Sequence, residues 1–262
     1  MGAASSPDVV VHRDAELLAQ AVAARFLTRL VDLQSGGRIA SVVLTGGSIA
    51  ISIYAAVAAS PTRDAVDWGR IELWWGDERF LVDGDPNRNA TQAGAALLDV
   101  VPLNLDLLHP MPAAPRVGVG DPEAAAEAYA RELASASRPG DHARVPAFDL
   151  LLLGVGPDGH VASLFPGHPA LHDERAVAAV RAAPKPPPIR LTLTFPTLAR
   201  ACEAWFVVSG ADKAPVVRSA LSGAGRLQVP AAGVTGQRRT RWLLDKAAAA
   251  QLPSDLARTT LR

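Results

Sequence analysis

The chain has 262 residues, with 26 Lys+Arg against 26 Asp+Glu, six His and one Cys. A formal net charge of zero removes the electrostatic footprint of a nucleic-acid binder. The lone Cys202 excludes an internal disulfide framework and a cysteine-based zinc site, and fits a reducing, cytoplasmic compartment.

At this length a chain buries roughly 70–75% of the surface that its unfolded form exposes, so neither disulfide nor metal is needed for stability. We read residues 1–262 as one α/β domain. Only Lys185, Lys213 and Lys246 are lysines, a bias toward Arg that reads as genomic composition. The N-terminus lacks a basic-then-apolar signal pattern. Met1-Gly2-Ala3-Ala4-Ser5-Ser6 matches a myristoylation pattern only loosely. Ile39–Thr62 carries no charge, yet Gly46-Gly47-Ser48 splits the stretch. It reads as a buried strand, a turn and a helix, and no membrane association is expected.

Apolar residues at helical spacing (Leu17, Leu18, Ala21, Val22, Phe26, Leu27, Leu30) predict a helix over Asp14–Leu33. Ile39–Leu44 is a short apolar run and reads as a buried strand, followed by a helix over Ser48–Ala59 and a strand at Ile71–Trp75. Asn89–Leu98 and Glu123–Ser135 read as helices, joined by a loop of low periodicity between Pro102 and Pro122. Phe148–Leu153 is another buried strand and Val177–Val180 a short one. Pro184 and Pro186–Pro188 form an exposed loop. Ile189–Phe195 alternates like a strand, with a short helix at Thr197–Ala201, a strand at Ala204–Ser209 and a helix at Asp212–Leu221. Arg241–Leu244 is a last strand and Lys246–Gln251 a last helix. Strands alternating with helices predict a mostly parallel sheet with helices on both faces. The five Trp residues flank or fill strands and read as packing.

In such a sheet ligands bind beyond the carboxyl ends of the strands, so the loops that follow them carry the chemistry. Those loops hold Thr45-Gly46-Gly47-Ser48, Gly76-Asp77-Glu78-Arg79, Gly154 to His160, and Gly210-Ala211-Asp212-Lys213. Gly46-Gly47-Ser48 at a helix start is either a phosphate cradle or an ordinary turn with Ser48 as N-cap. Gly154-Val155-Gly156-Pro157-Asp158-Gly159 fits a dinucleotide fingerprint by spacing, but Pro157 removes a donor and Asp158 adds a negative charge. The loop instead offers His160, able to move a proton near neutral pH, with Asp158 beside it. Asp77-Glu78-Arg79 offers a site carboxylate with an anion-binding Arg, or a loop salt bridge. Arg190 on a strand and Lys213 at a helix start are easiest to place around an anion, so Gly47, Ser48, Arg190 and Lys213 are the expected phosphate ligands. Ser48, Asp77 and His160 follow the order of a serine hydrolase triad, though Gly46-Gly47-Ser48-Ile49-Ala50 lacks the second glycine of that elbow. His168 and His172 lack a third metal ligand.

The block from Gly154 to Gly167, with Leu44–Ser48, Trp75–Arg79, Arg190–Thr194, Gly210–Lys213 and Trp242–Asp245 in order, resembles the motifs of 6-phosphogluconolactonases over nearly the whole chain. The resemblance implies a Rossmann-like α/β fold shared with glucosamine-6-phosphate deaminases and ribose-5-phosphate isomerases. It implies metal-independent hydrolysis of 6-phospho-D-glucono-1,5-lactone to 6-phosphogluconate in the oxidative pentose phosphate pathway. No cofactor and no partner beyond the phosphosugar lactone is expected, and the chain is expected to be a monomer. By position His160 matches the family's catalytic His, with Asp158 and Asp77 near it. Gly46, Gly47, Ser48, Arg79, Arg190 and Lys213 fall where phosphate and hydroxyls are held. Two departures stand out: Ile49 replaces a common Thr, and Asn87-Arg88-Asn89 replaces an acidic-Ser-Asn run. The alternatives are a serine hydrolase using Ser48, a sugar-phosphate deaminase or isomerase, and a sugar-phosphate sensor. Deaminases carry a Glu soon after Asp-Gly-His, whereas here no acid follows until Asp173.

Overall fold

A computed structural model describes residues 6–138, 141, 144–253 and 256. The myristoylation-like Met1–Ser5 segment lies outside the described residues. The strands are β1 (Asp8–His12), β2 (Ala40–Leu44), β3 (Ile71–Trp75), β4 (Asp77–Arg79), β5 (Phe148–Leu153), β6 (Val177–Val180), β7 (Arg190–Leu193), β8 (Ala201–Val208) and β9 (Arg239–Asp245). The helices are α1 (Ala15–Gln34), α2 (Ser48–Ala59), α3 (Asn89–Ala96), α4 (Pro122–Ala136), α5 (Phe195–Leu198) and α6 (Ala214–Leu221), with several single 3-10 turns between them.

Six strands form one parallel sheet in the order β1-β9-β8-β5-β2-β3. All five residues of β2 are buried, as are five of the six in β5, so the apolar runs sit where two covered faces demand them. Helix α1 starts at Asp14, whose carboxylate accepts the Leu17 amide at 2.9 Å, and buries Leu18, Val22, Phe26, Leu27 and Leu30 along one stripe. Helix α4 starts at Asp121 with Pro122 in its first turn, and its buried Tyr129 hydroxyl takes the Trp75 amide and donates to the His109 carbonyl. The five Trp side chains are all at most 4% exposed.

From β2 the chain adds β3 on one side, then returns to add β5 on the other. The order reverses between β2 and β5, and a crevice opens beyond the carboxyl ends of strands at such a reversal. The loops after β2 and β5 are the two glycine-rich segments.

The structure departs from the sequence reading in four places. Asp77–Arg79 is not a loop but strand β4, antiparallel to β7, which pairs in turn with β6. Gly76 joins this small sheet to the large one, donating its amide to Leu44 O and accepting from Leu193 N. Asp8–His12 is an edge strand, a role its three-valine run could have suggested. Gly47, not Ser48, is the N-cap of α2. Lys246–Gln251 is a chain of turns rather than a helix. There the Asp245 carboxylate takes the Ala248 amide and its carbonyl the Ala249 amide, but the bonds of Ala250 to Ala247 and Leu252 to Ala249 span three residues rather than four, so no helix is propagated. No helix among the described residues is long and apolar enough to cross a membrane.

Candidate active site

A cleft of about 360 Å³ lies at the reversal point. Gly46, Gly47, Ser48, Asp77, Arg79, His160, Arg190 and Lys213 all line it. The ninth expected residue, Asp158, reaches it through His160.

Beyond β2, Gly47 adopts φ 101°, a left-handed value open to glycine at little cost. The first helical bond of α2 runs from the Ile51 amide to Gly47 O. The amides of Ser48, Ile49 and Ala50 therefore have no intrahelical acceptor, and the helix dipole favours an anion before them. Gly46 packs over Asn89: a Cβ there would lie 1.8 Å from Asn89 Oδ1.

Beyond β5 the chain makes a tight turn, with the Gly156 amide on His160 O at 3.0 Å and the Gly159 amide on Gly156 O at 2.9 Å. No helix follows it, unlike the dinucleotide fingerprint. The turn folds the His160 ring back over Gly156, where a Cβ would stand 2.0 Å from ring atoms. His160 Nδ1 bonds Asp158 Oδ1 at 2.5 Å. Burial acts to raise the Asp158 carboxyl, but the hydrogen bond from His160 and its charge outweigh burial, with a smaller pull from Lys185, and hold it at about 2. An ionised carboxylate only accepts, so in the neutral ring the proton sits on Nδ1 and Nε2 carries the lone pair. Phe165 lies against the His160 ring (centroids 4.5 Å apart), and the Arg190 guanidinium lies 5.5 Å from the same phenyl ring.

Asp77 is buried and engaged elsewhere. Its Oδ2 accepts from Ser163 Oγ at 2.6 Å, and its backbone carbonyl accepts from Asn89 Nδ2 at 2.8 Å. No hydrogen bond among the described residues joins Ser48 to His160 or Asp77 to His160, so the serine-triad order is not a triad in space. The adjacent Glu78 points the other way. Burial raises its carboxyl above the ordinary range, opposed by the amides of Ala90, Asn89 and Arg79 that it accepts and by the Arg88 charge. Glu78 thereby fastens the start of α3 to β4. Its cationic neighbour is Arg88, 3.7 Å away, rather than Arg79.

Four cations line the cleft: Arg79, Lys185, Arg190 and Lys213. Arg190 is buried, which pushes its guanidinium below its ordinary range. Its Nε bonds Pro187 O at 3.1 Å and one terminal nitrogen bonds Lys185 O at 3.0 Å, so it fastens the proline-rich loop and brings Lys185 to the rim. Arg190 Nη1 makes no hydrogen bond among the described residues. Lys213 Nζ pairs with Asp212. Arg79 donates to Asn87 O at 2.7 Å, and its buried Nε has no partner. His168 spends both ring nitrogens on Arg181 O and the Ala170 amide, and no group of three or more His, Cys, Asp or Glu among the described residues is placed to hold a metal.

The family model for glucosamine-6-phosphate isomerases/6-phosphogluconolactonase matches residues 13–242. The chain belongs to this family. The 6-phosphogluconolactonase of Streptomyces coelicolor is 58% identical over 252 residues, covering 96% of this chain and 97% of that protein. That of Mycobacterium tuberculosis is 42% identical over 250 residues, covering 95% and 100%. The structure of 6-phosphogluconolactonase from Trypanosoma brucei superposes with a TM-score of 0.82 at 28% identity, over 96% of this chain and 100% of that one. A monomeric glucosamine-6-phosphate deaminase shares the fold, with a TM-score of 0.74 at 21% identity over 93% and 99%.

Within this member of the 6-phosphogluconolactonase family, sequence reasoning missed Asn89 and Lys185 as cleft residues. Asn89 follows Arg88, the N-cap of α3, and Lys185 sits in a proline-rich loop. Neither follows a strand of the large sheet, so the tendency of ligands to lie beyond the carboxyl ends of strands does not point to them.

Proposed function

We propose that the cleft hydrolyses 6-phospho-D-glucono-1,5-lactone to 6-phosphogluconate, with His160 as the proton-transfer group. The relatives are named 6-phosphogluconolactonase, and this hydrolysis would be the lactone step of the pentose phosphate pathway. The phosphate sits at the Gly47 turn before the free amides of Ser48, Ile49 and Ala50, with Lys213 and the unbonded nitrogen of Arg190 completing its charge. This fixes the ring for attack. His160 Nε2 takes a proton from water as the water oxygen bonds to the lactone carbonyl carbon. Charge moves to the carbonyl oxygen, where Arg79 and loop amides stabilise it. The bond from that carbon to the ring oxygen then breaks, and the proton on Nε2 passes to the departing oxygen, leaving a carboxylic acid that ionises and a free hydroxyl. Asp158 holds the ring orientation and the charge of the imidazolium. Asp77, bound by Ser163 and Asn89, shapes the wall where sugar hydroxyls lie.

The observation that supports this reading most is the His160–Asp158 pair, with an ionised carboxylate on Nδ1 and Nε2 left for the cleft. The test is hydrolysis of freshly generated lactone, coupled to oxidation of 6-phosphogluconate and compared with buffer, because the lactone also opens unaided. His160→Ala is expected to lower kcat by about 10²–10⁴-fold. Undiminished turnover in that variant, with loss in Ser48→Ala, would move the reaction to the serine.

A further inference from the structure

A second pocket, of about 480 Å³, lies far from the cleft. It is formed by one side of α1 and the amino-terminal halves of β8 and β9, whose carboxyl ends lead to the catalytic edge. Four of its residues are arginines: Arg25 and Arg29 on α1, Arg239 and Arg241 on β9. Asp32 and Glu203 line it with them and Asp8 stands beside Arg239 and Arg241, so four guanidinium groups face three carboxylates.

These arginines are poorly satisfied by the protein. Arg25 makes no ion pair and no side-chain hydrogen bond among the described residues. Glu203 lies 3.1 Å from Arg29 Nε but 3.9 Å from Arg241, and it also accepts the Trp205 indole N–H at 2.9 Å. Asp8 stands 3.6 Å from Arg239 and 3.5 Å from Arg241, both beyond a good charge-assisted bond. Arg241 lies over the Trp205 ring, 5.5 Å from its centroid, which fixes the direction of its guanidinium. Burial, and then the like charges of Arg239 and Arg25, push Arg241 below its ordinary range. Like charges gathered in a partly buried pocket repel one another unless an anion enters between them. The donors are planar forks on two rigid elements, and such forks match the oxygens of a phosphate group.

We infer that this pocket is a second anion site, taking the phosphate group of a phosphorylated small molecule between Arg25, Arg29, Arg239 and Arg241. Its volume lies within the range of small-ligand sites. Glu203 and Trp205 form a floor that orients Arg29 and Arg241, and Arg25 and Arg239 close over the ligand from the rim.

The probe is inorganic pyrophosphate, added to ¹⁵N-arginine-labelled protein in buffer free of phosphate and sulfate. The Nε–H resonances of Arg29 and Arg241, assigned by their loss in Arg29→Lys and Arg241→Lys, are expected to shift and saturate. In an Arg25→Gln, Arg239→Gln double variant, the half-saturating concentration is expected to rise about tenfold or more, since two charge-assisted contacts are lost. Lactone hydrolysis at the wild-type rate reports that the variant is folded. If the pair prevents folding, Arg25→Gln alone serves, because Arg25 carries no structural ion pair. The inference is overturned if pyrophosphate inhibits catalysis while these resonances stay still, or if their shifts never saturate. It is equally overturned if a short DNA duplex moves them and pyrophosphate does not.

Discussion

The large parallel sheet and the small antiparallel one meet at Gly76, and charge is buried far more densely in the small one. Strands β2 and β5 bury Val42, Val43, Leu150, Leu151 and their neighbours. Strands β4 and β7 bury Asp77, Glu78, Arg190 and Thr192. Apolar burial stabilises at about 25 cal/mol per Å², whereas a buried charge costs unless it is bonded on all sides. The small sheet meets that condition locally, apart from the one Arg190 nitrogen left unbonded. Glu78 accepts three amides, Asp77 is held by Ser163 and Asn89, and Arg190 by loop carbonyls. The large sheet therefore supplies stability, and the small one spends part of it to hold polar groups in fixed positions at the cleft.

This division can be broken by substitutions that ought to separate stability from chemistry. Leu151 is fully buried between β2 and β8. Leu151→Ala is expected to cost about 2–5 kcal/mol of stability in urea unfolding. At a temperature where the variant stays folded, its kcat should match wild type. A large fall in kcat would mean that the sheet core and the site are not separable. Gly156→Ala tests the reverse. The new Cβ would displace the His160 ring, and a displacement near 1 Å is expected to lower kcat by about 10²-fold. Gly156 is buried, but the Cβ meets the half-buried His160 ring, which can swing outward, so the urea midpoint should fall less than in Leu151→Ala.

The same contrast explains what could be read from the sequence. Ile39–Leu44 and Phe148–Leu153 announce themselves because a strand covered on both faces must be apolar throughout. Asp77-Glu78-Arg79 reads as a loop because three charged residues make a strand only with a pairing strand and side-chain partners: the pairing strand β7 lies more than a hundred residues away, and Ser163, Asn89 and Ala90 arrive from another loop and from the start of α3. Lys246–Gln251 reads as a helix, and Asp245 caps it as one by taking the Ala248 amide, but only the Ala249 amide reaches back four residues, and the Ala250 and Leu252 amides bond three residues back, which leaves a chain of turns. Most cleft residues were legible because parallel strands put their carboxyl ends on one edge. Asn89 and Lys185 were not, since they arrive from a helix start and a proline-rich loop. The partner of His160 was undecided between Asp158 and Asp77 in the sequence; a tight turn brings the nearer one onto Nδ1.

Arg190 sharpens the comparison, because it serves the small sheet, the loop and the proposed phosphate at once. Arg190→Lys is expected to raise KM about tenfold or more with a smaller change in kcat. One ammonium cannot reproduce a planar fork that bonds Pro187 O and Lys185 O while leaving a nitrogen for an anion. Wild-type KM in the lysine variant would reduce Arg190 to a point charge.

The smallest effect is expected at Asp158, and it has a definite direction with pH. The carboxyl sits at about 2 in the folded protein against an ordinary 3.8. A group depressed in this way stabilises the fold above its unfolded value, and the contribution fades as pH falls from about 3.8 through about 2. Asp158 is partly exposed, so solvent and salt screen the gain and only a modest difference is expected. In urea unfolding at neutral pH, Asp158→Asn should be slightly less stable than wild type, and the two should converge as pH drops through that window. A gap that stays constant across it would show that the variant loses packing or a neutral hydrogen bond instead. The site would then lack the ionised carboxylate that fixes the His160 tautomer.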